Sequence, residues 1–473
     1  MDLEEAWCPT ELDDFNNTIE GALGDTFGNC EPTCQPGKPN KNITVKTTDD
    51  KHWSRSTSFL VTISVCLLLF ILSVITFYYF HVKRRKEKGS VETINLETIL
   101  NGNPAMMNSE MILNEQASHL SYSGKYEMDR SQFELGRKLG GGAFGSVHQG
   151  VTEDFINSQK KTKVAIKSVN NPLDPSQIHA LMCEIKVLDK LEMRLDLVNM
   201  VGACTTKVRT GELWLLLEFC PHGDLKNFLL KNRDIILQDI DNEAPHKTLN
   251  SRLFIKWSHS ISKGMEYLSS KNIMHGDLAA RNILIGNFNH DEQYLAKICD
   301  FGLAKAFYDQ TSYEKEDRNQ VPWKWMDINY YTTGKFTMSS DVWSFGVVFW
   351  EMLSMGQIPY AGGSANDTIK EIKAGFRLPV PDEIFKVQWL VKCYKDVAKM
   401  CWQLDPKQRW KFSDVVKNFD AYLTTEEKEQ HKRLEQSVVK VEKRLSQKRI
   451  SHRVSNEYQM DCNDQVFKLR KKD

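Results

Sequence analysis

The chain has 473 residues, of which 41% are hydrophobic and 26% are charged, and its formal net charge is zero. This length allows two or three domains with a sizeable core, and the balanced charge gives no indication of nucleic-acid binding. The charge is nevertheless distributed unevenly. Residues 1–50 contain 11 acidic and 3 basic side chains, whereas residues 424–473 contain 13 basic and 9 acidic ones. Such a division indicates that the two ends of the chain lie in different compartments.

A long uncharged segment follows the acidic N-terminal region. Residues 59–80 form a run of 22 residues without a charge. A helix of that length spans roughly 33 Å, which is enough to cross the ~30 Å hydrocarbon core of a bilayer. The basic cluster at 83–88 predicts that the C-terminal side faces the cytoplasm. A buried core helix is the alternative, and the absence of a polar face disfavours it.

The segment before this predicted transmembrane helix, residues 1–58, is polar and rich in proline. It is too short for an immunoglobulin-type domain, and its first thirty residues lack the apolar run of a cleavable signal peptide. If it is extracellular, Asn16 and Asn42 are predicted glycosylation sites, because each begins an Asn-X-Thr triplet. Three cysteines precede the span, and an odd number leaves at least one unpaired within the chain.

Residues 81–132 are polar and are interpreted as a juxtamembrane linker. The region that follows begins with short alternating or β-branched runs, which predict strands at 133–139, 146–149 and 163–167. Farther along, apolar residues recur at helical spacing and predict helices, for example at 179–188, 252–261 and 341–350. The sequence therefore predicts an α+β domain at 133–423, in which a small β-rich lobe precedes a larger helical lobe.

The tail, residues 424–473, is highly charged. An apolar stripe with spacings of four, three and four residues runs along its first part and consists of Leu434, Val438, Val441 and Leu445. The stripe covers barely two heptads, so the sequence favours a single solvated helix with a modest apolar face over a coiled coil.

Several short motifs follow one another in the predicted domain. A glycine-rich turn at 140–145 allows the backbone to approach phosphate oxygens closely. Lys167 ends the next apolar strand, and Glu184 lies on a predicted helix 17 residues later. Any one of these features also occurs in unrelated proteins. The interpretation therefore depends on all of them occurring in this order.

The most specific motif is the segment 275–282, His-Gly-Asp-Leu-Ala-Ala-Arg-Asn, which is followed by Cys-Asp-Phe-Gly at 299–302. Phosphoryl transfer needs one carboxylate beside the attacking hydroxyl, here Asp277. It also needs oxygen ligands for the metal ions of the nucleotide, here Asn282 and Asp300.

These motifs, in this order, resemble the protein kinase family, and finer details resemble receptor tyrosine kinases. The resemblance covers about 60% of the chain. Segments such as 181–188, 218–220, 297–305 and 322–326 are similar to the platelet-derived, stem-cell and vascular growth-factor receptor branch. Arg281, four residues after Asp277, is typical of tyrosine-specific kinases. The resemblance implies a bilobal protein-kinase fold preceded by a single transmembrane helix.

The resemblance implies a role for each matching residue. Asp277 would be the catalytic base, with Arg281, Lys167 and Glu184 as further catalytic residues, and Leu217 would be the gatekeeper behind the adenine pocket. The residues implied in nucleotide binding are Gly140, Gly141, Gly142, Ala143, Phe144, Gly145, Val147, Ala165, Lys167, Glu218, Cys220 and Leu284. Tyr313 aligns with the regulatory tyrosine of the activation loop.

Three departures from the family pattern concern supporting residues. Gly276 replaces the arginine that precedes the catalytic aspartate, and Trp410 replaces a proline. Asn329 replaces a glutamate that usually pairs with the residue aligned with Arg409, for which Asp327 is an alternative partner. An unpaired buried arginine would be costly. The sequence therefore leaves a second interpretation open, a membrane-tethered pseudokinase that acts as a scaffold.

As a kinase, the protein is expected to use ATP with Mg²⁺, or Mn²⁺ in its place, and to phosphorylate tyrosine in protein substrates. It is expected to lie in the plasma membrane, with the N-terminus outside and the kinase domain in the cytoplasm. The sequence leaves homodimerisation and heterodimerisation open, identifies no extracellular ligand and predicts no nucleic-acid partner.

Overall fold

The computed structural model describes residues 96–469 except 143–144, 154–160, 173, 209–211, 242–249, 288–293 and 302–321, with tail side chains described up to residue 447. In the first 95 residues it describes positions 7–9, 27–29, 72–74, 76 and 78. The chain divides into two compact units, Met1–Gly89 and Ser90–Asp473.

In the first unit, two short strands, Trp7–Pro9 and Phe27–Asn29, pair in antiparallel fashion. Most of the predicted transmembrane segment lies outside the described residues, and its five described positions are helical. Among the described residues, no helix combines the length and the apolar character needed to cross a bilayer.

The second unit begins with an ordered segment, residues 96–132, which we call the N-terminal strap. It contains helix α1 (Leu96–Asn101) and three short 3₁₀ helices, Pro104–Met106, Asn114–His119 and Arg130–Gln132. The polar composition of this region predicts a linker, but three of its apolar side chains are buried in the main core: Ala117, Leu120 and Tyr126. Their irregular spacing gives no periodic signal.

The small lobe is a five-stranded antiparallel sheet in the order β1-β2-β3-β5-β4. The strands are β1 (Phe133–Gly142), β2 (Gly145–Glu153), β3 (Lys161–Ser168), β4 (Met200–Cys204) and β5 (Trp214–Glu218). The three strands predicted from sequence are confirmed. In β3, Val164 and Ile166 are fully buried on one face, which places Ala165 and Lys167 on the opposite face, because side chains alternate along a strand.

Helix α2 (Pro175–Asp189) packs beside this sheet and confirms the predicted helix at 179–188. Its start is well specified: the carboxylate of Asp174 accepts a hydrogen bond from the Ser176 N–H at 2.9 Å, and Pro175 occupies the first turn. The apolar residues Ile178, Met182 and Ile185 recur at helical spacing and are buried. The packing of these residues in the core fixes the rotation of the helix and therefore the position of the Glu184 side chain.

The described part of the large lobe is mainly helical and contains a two-stranded sheet, β6 (Ile283–Gly286) and β7 (Leu295–Ile298). Its helices are α3 (Leu225–Asp241), α4 (Ser251–Ser270), α5 (Tyr330–Thr333), α6 (Met338–Leu353), α7 (Ala365–Lys373), α8 (Gln388–Cys401) and α9 (Phe412–Asp420). The predicted helices at 252–261 and 341–350 lie within α4 and α6. Nearly every residue of α6 is buried, so this helix forms the centre of the lobe.

The tail forms helix α10 (Thr425–Leu469). Its predicted apolar stripe is not solvated, because Val438 and Leu445 are 3% and 7% exposed. The same face carries Glu435, which lies 2.8 Å from the Lys263 Nζ atom of α4. The carboxylate of Glu442 accepts a hydrogen bond from the Met193 N–H at 3.2 Å. The apolar stripe therefore belongs to the face of the helix that docks on the domain. An ion pair and a hydrogen bond, which the composition of the tail does not reveal, stabilise this docking.

Candidate active site

Strand β3, helix α2 and the end of β7 bring three charged side chains together. The Lys167 Nζ atom donates to both carboxylate oxygens of Glu184 at 2.8 Å and to Asp300 Oδ1 at 3.3 Å. Burial alone would lower the pKa of the Lys167 ammonium, but the carboxylates of Glu184 and Asp300 outweigh it and raise that pKa. The adjacent Lys167 charge lowers the pKa of Asp300. Lys167 and Asp300 are thus held in their charged forms. Burial raises the pKa of Glu184 above its ordinary value, and the adjacent Lys167 ammonium counteracts this shift.

The predicted glycine-rich loop is the turn between β1 and β2. Gly142 faces Gly145 across this hairpin, and the Asn170 side chain donates to the Gly142 carbonyl at 2.8 Å. A Cβ atom at Gly145 would lie only 2.4 Å from the Ser168 carbonyl oxygen. Glycine is therefore required where the loop passes over β3. Ala143 and Phe144, at its tip, lie outside the described residues.

The cleft below this loop is lined by half-buried apolar side chains from both lobes. Val147 faces Lys167 across β2 and β3, and Ala165 faces Leu217 across β3 and β5. On the large-lobe side, Leu284 packs against a small cluster that contains Cys220. Val147, Ala165 and Leu284, three of the residues implied in nucleotide binding, are only partly covered, which leaves apolar surface for a planar ring.

The segment 275–282 places its polar groups within hydrogen-bonding distance of one another. The Asn282 Nδ2 group donates to the Asp277 carbonyl at 2.6 Å and to Asp277 Oδ2 at 2.8 Å. The Arg281 guanidinium pairs with Asp277 Oδ1. Both oxygens of this carboxylate are thereby oriented, while its side chain remains 33% exposed. Asp277 can therefore accept a proton from a group in the cleft.

The backbone before Asp277 is fixed by a residue that sequence reasoning did not single out. Asp341, on α6, accepts the backbone N–H groups of His275 and Gly276 at 2.7 and 2.8 Å. Gly276 has φ +77°, in the left-handed region that favours glycine. Restoring the usual arginine at this position would therefore add backbone strain as well as a charge.

Glu351, also on α6, supports the C-terminal side of the same segment. Its Oε2 atom accepts the Ala280 N–H at 2.9 Å and the Trp325 indole N–H at 2.7 Å. Arg281 in turn lies over the Trp325 ring, with its guanidinium carbon 4.5 Å from the ring centroid. Burial raises the pKa of Glu351 to about 7.

Glu351→Gln is expected to flatten the pH dependence of the domain's stability. The pKa of Glu351 is raised above its ordinary 4.5, so between these values the folded state holds a proton that the unfolded state releases. Its contribution to stability therefore falls as the pH rises through this interval. A glutamine oxygen can accept both N–H groups without a buried charge. Between pH 5.5 and pH 8, the free energy of unfolding should decrease less in the variant than in the wild type, by on the order of 1 to 3 kcal/mol. Thermal unfolding at the two pH values measures this difference. An equal loss in both proteins would contradict this role of Glu351.

The buried Arg409 has a partner despite the departure at Asn329. Asp327 accepts from both terminal nitrogens of this guanidinium at 2.6 and 2.7 Å, and the two side chains are 2% and 0% exposed. Asn329 donates to Asp327 Oδ1 at 3.1 Å and to the Leu404 carbonyl at 2.8 Å. The alternative pairing considered from sequence is the one observed, with the carboxylate moved two positions upstream.

A second ion-pair network, which the sequence analysis missed, fixes the segment between the lobes. Glu218 accepts from the Asn199 side chain at 2.8 Å and pairs with the Lys297 Nζ atom at 3.1 Å. Lys297 is 1% exposed. A lysine inside the apolar strand β7 was an available signal, because a buried lysine needs a carboxylate partner.

The remaining sequence predictions fall on residues that are not described. Tyr313 lies in the undescribed segment 302–321, and Asn16 and Asn42 lie in the N-terminal region. The described residues nevertheless bring Lys167, Glu184, Asp277, Asn282 and Asp300 to one cleft between the two lobes.

Comparison with known families identifies the class of protein that this fold and site define. Residues 133–419 match the family described as protein tyrosine and serine/threonine kinase. The match covers more than half of the chain, and the chain therefore belongs to this family.

The relatives of this chain include receptors. Vascular endothelial growth factor receptor 1 of Homo sapiens is 28% identical over 83% of this chain and 32% of the relative. Vascular endothelial growth factor receptor 3 of Coturnix coturnix is 30% identical over 79% of the chain and 29% of the relative. The fibroblast growth factor receptor of Ciona intestinalis is 32% identical over 64% of the chain and 39% of the relative. The chain thus spans about a third of their length, and the resemblance to receptor tyrosine kinases is confirmed.

Proposed function

We propose that this chain is a membrane protein-tyrosine kinase that transfers the γ-phosphate of ATP to tyrosine in protein substrates. The observation that carries the proposal is the Lys167–Glu184 ion pair at 2.8 Å, within reach of Asp300, in the same cleft as an oriented Asp277. Positioning and electrostatic stabilisation provide most of the catalysis in phosphoryl transfer. These are the two effects that this arrangement of charges supplies.

Each of these residues has a separate role in phosphoryl transfer. Lys167 binds phosphate oxygens, and Glu184 keeps its ammonium in place. Asp277 accepts the proton of the tyrosine hydroxyl as that oxygen attacks the γ-phosphorus, while the bond from this phosphorus to the bridging oxygen breaks and ADP leaves. Arg281 and Asn282, which bind its two oxygens, keep the carboxylate directed into the cleft. The loop between β1 and β2 covers the phosphates and excludes water.

The donor set fits a magnesium–nucleotide complex. Mg²⁺ prefers carboxylate and carboxamide oxygens, which Asp300 and Asn282 provide. The Asp300 side chain is 49% exposed, and Asn282 uses its Nδ2 group for both hydrogen bonds to Asp277, so its amide oxygen is the atom left for a cation. When bound, Mg²⁺ neutralises charge on the triphosphate.

The preference for tyrosine rests on the surroundings of Arg281. This residue lies between Asp277 and the face of Trp325, while Trp325 is fixed by Glu351. The Trp325 carbonyl also accepts a hydrogen bond from the Ser344 hydroxyl at 2.7 Å. A rigid platform beside the catalytic carboxylate suits a long planar side chain, whose hydroxyl lies far from its backbone.

The alternative function, a pseudokinase scaffold, was suggested by the departures from the family pattern at Gly276 and Asn329. The pairing of Arg409 with Asp327 removes one of these objections, and Gly276 retains its backbone hydrogen bond to Asp341. We therefore favour the catalytic function. The test is phosphorylation of tyrosine, serine and threonine peptides by the purified full chain with ATP and Mg²⁺. Incorporation into the tyrosine peptide alone is expected, and no incorporation into any peptide would favour the scaffold.

We further propose that the chain crosses the plasma membrane once, with the kinase domain in the cytoplasm. This rests on the uncharged segment 59–80, on the basic cluster after it and on the similarity to receptors. Glycosidase treatment of protein from cells should increase its mobility on a gel, and the double variant Asn16→Gln/Asn42→Gln should show no shift. A shift that persists in the double variant, or removal of the kinase domain by protease added to intact cells, would contradict this topology.

A further inference from the structure

The N-terminal strap contacts the chain immediately before the catalytic segment. The Asn114 side chain donates to the Met274 carbonyl at 2.9 Å and accepts from the Met274 N–H at 3.3 Å. Asn114 is 8% exposed. The Leu113 N–H donates to the Asn272 carbonyl at 2.8 Å, and the Asn272 side chain donates to the Met111 carbonyl at 2.7 Å. Both main-chain polar groups of Met274 are thus bound by a residue outside the span of the kinase family match.

The same strap is bonded to helix α2, which carries Glu184. The Lys186 Nζ atom donates to the Ser118 carbonyl at 3.1 Å, and Lys186 is 2% exposed. The Ser123 N–H and hydroxyl donate to the two oxygens of Asp189, at 3.0 and 2.6 Å. Both contacts lie on the C-terminal side of Glu184, two and five residues farther along the helix that holds this carboxylate beside Lys167.

The end of the strap pairs with the edge of the small-lobe sheet. The Met128 N–H donates to the Ala203 carbonyl at 2.7 Å, and the Ala203 N–H donates to the Tyr126 carbonyl at 2.9 Å. Glu127 accepts from the Thr205 N–H at 2.7 Å and from its hydroxyl at 3.0 Å. One continuous segment therefore joins the catalytic segment, helix α2 and the β-sheet.

We propose that the strap couples these three parts and that Asn114 is a positioning residue for phosphoryl transfer, an inference that rests on the proposed function. Asn114 acts through Met274, which is followed directly by His275 and lies three residues before Asp277. On the other side of this backbone, Asp341 accepts the His275 N–H. The catalytic segment is thereby held from two directions, by the strap and by α6.

The geometry also gives the sign of the effect. The strap is docked in the same structure in which Lys167 and Glu184 lie 2.8 Å apart and Asp277 is oriented by Arg281 and Asn282. A docked strap is therefore compatible with the productive arrangement. Release of the strap would loosen helix α2 and the catalytic segment together. The docked strap therefore promotes activity.

The test compares three variants of the full chain by initial rates on a tyrosine peptide. Asn114→Ala removes both bonds to Met274 and is expected to lower kcat about tenfold, because small displacements of catalytic groups are costly, while the KM for ATP changes less than twofold. Asn103→Asp is the matched control: Asn103 is an exposed asparagine of the same strap whose side chain caps no helix. It should leave kcat unchanged.

Asn114→Asp supplies a readout that a merely structural role would not move. A protonated carboxyl can donate to the Met274 carbonyl and accept its N–H, as the amide does, whereas an ionised one can only accept. The activity of this variant relative to wild type should therefore fall as the pH rises and the introduced carboxyl ionises, which initial rates over a pH series that begins near the ordinary aspartate pKa of about 4 and extends to about 8 measure. The same ratio for Asn103→Asp should stay constant.

Hydrogen exchange of residues 274–282 separates this inference from the proposed function. In Asn114→Ala these amides should exchange faster than in wild type, whether or not the protein phosphorylates the peptide. An inactive wild type would refute the proposed function alone, whereas unchanged exchange would refute the coupling. An increase in kcat, or a loss of thermal stability with unchanged kcat and an unchanged pH ratio, would overturn the positioning role of Asn114.

Discussion

Asp277→Asn is expected to lower the rate of tyrosine phosphorylation by about 10² to 10⁴-fold, the range typical of a positioned general base. The substitution removes the proton acceptor. It also sets an amide N–H₂ group against either Arg281 or the Asn282 side chain, both of which donate to this carboxylate. Affinity for ATP should change little, because Lys167 and the metal-binding residues remain. Single-turnover phosphorylation and binding of a fluorescent ATP analogue measure the two effects separately.

Two further variants sharpen this test. Asp300→Asn should weaken metal-dependent nucleotide binding as well as the rate, because Asp300 is assigned to the metal and lies 3.3 Å from Lys167. Asp367→Asn replaces a carboxylate that is 69% exposed on α7 and should behave as wild type. If Asp277→Asn retained the wild-type rate, the proposed catalytic role would be wrong.

Asp327→Ala is expected to destabilise the kinase domain by about 3 to 5 kcal/mol, because it leaves the Arg409 guanidinium buried without its charged partner. Three more donors lose this acceptor in the variant: the Ser340 hydroxyl at 3.1 Å, the Asn329 side chain at 3.1 Å and the Asn329 backbone N–H at 3.0 Å. Arg409 keeps its hydrogen bonds to the carbonyls of Gln403 and Ser339, at 2.8 and 3.0 Å, but these neutral acceptors do not balance a charge. Urea unfolding of both proteins at pH 7 measures the difference.

The controls use the position at which related kinases carry a glutamate. Asn329→Glu, introduced into Asp327→Ala, restores a carboxylate near Arg409 and should recover a large part of the lost stability. The double variant Asp327→Leu/Arg409→Met removes both charges and should lie close to wild type, as apolar replacements of buried ion pairs often do. A loss of less than about 1 kcal/mol in Asp327→Ala would show that Arg409 does not depend on this pairing.

The sequence alone predicted the elements whose signal is local. Strand β3 was predicted from its β-branched run, and helix α2 from the segment 179–188. Lys167 and Glu184 were singled out by the order of the motifs, and the structure places their charged groups 2.8 Å apart. The site residues were predicted because phosphoryl transfer demands particular chemical groups, and these occur in short runs such as 275–282.

What the sequence did not reveal depends on partners far apart in the chain. Asn114 binds Met274, 160 positions later, and Lys297 of the two-stranded sheet pairs with Glu218 of the five-stranded sheet, a contact that only the fold creates. The docking of the strap and of helix α10 likewise rests on a few irregularly spaced contacts, which leave no periodic pattern. The sequence left open which carboxylate pairs with Arg409, and the structure shows that it is Asp327.

The sequence by itself thus determined the chemistry of this protein, because the groups that handle phosphate and protons must be of fixed type and lie in short, ordered motifs. The tertiary structure decided how these motifs are held. A buried polar group is stable only with a partner in hydrogen-bonding distance, and chain folding, not sequence proximity, decides which groups meet.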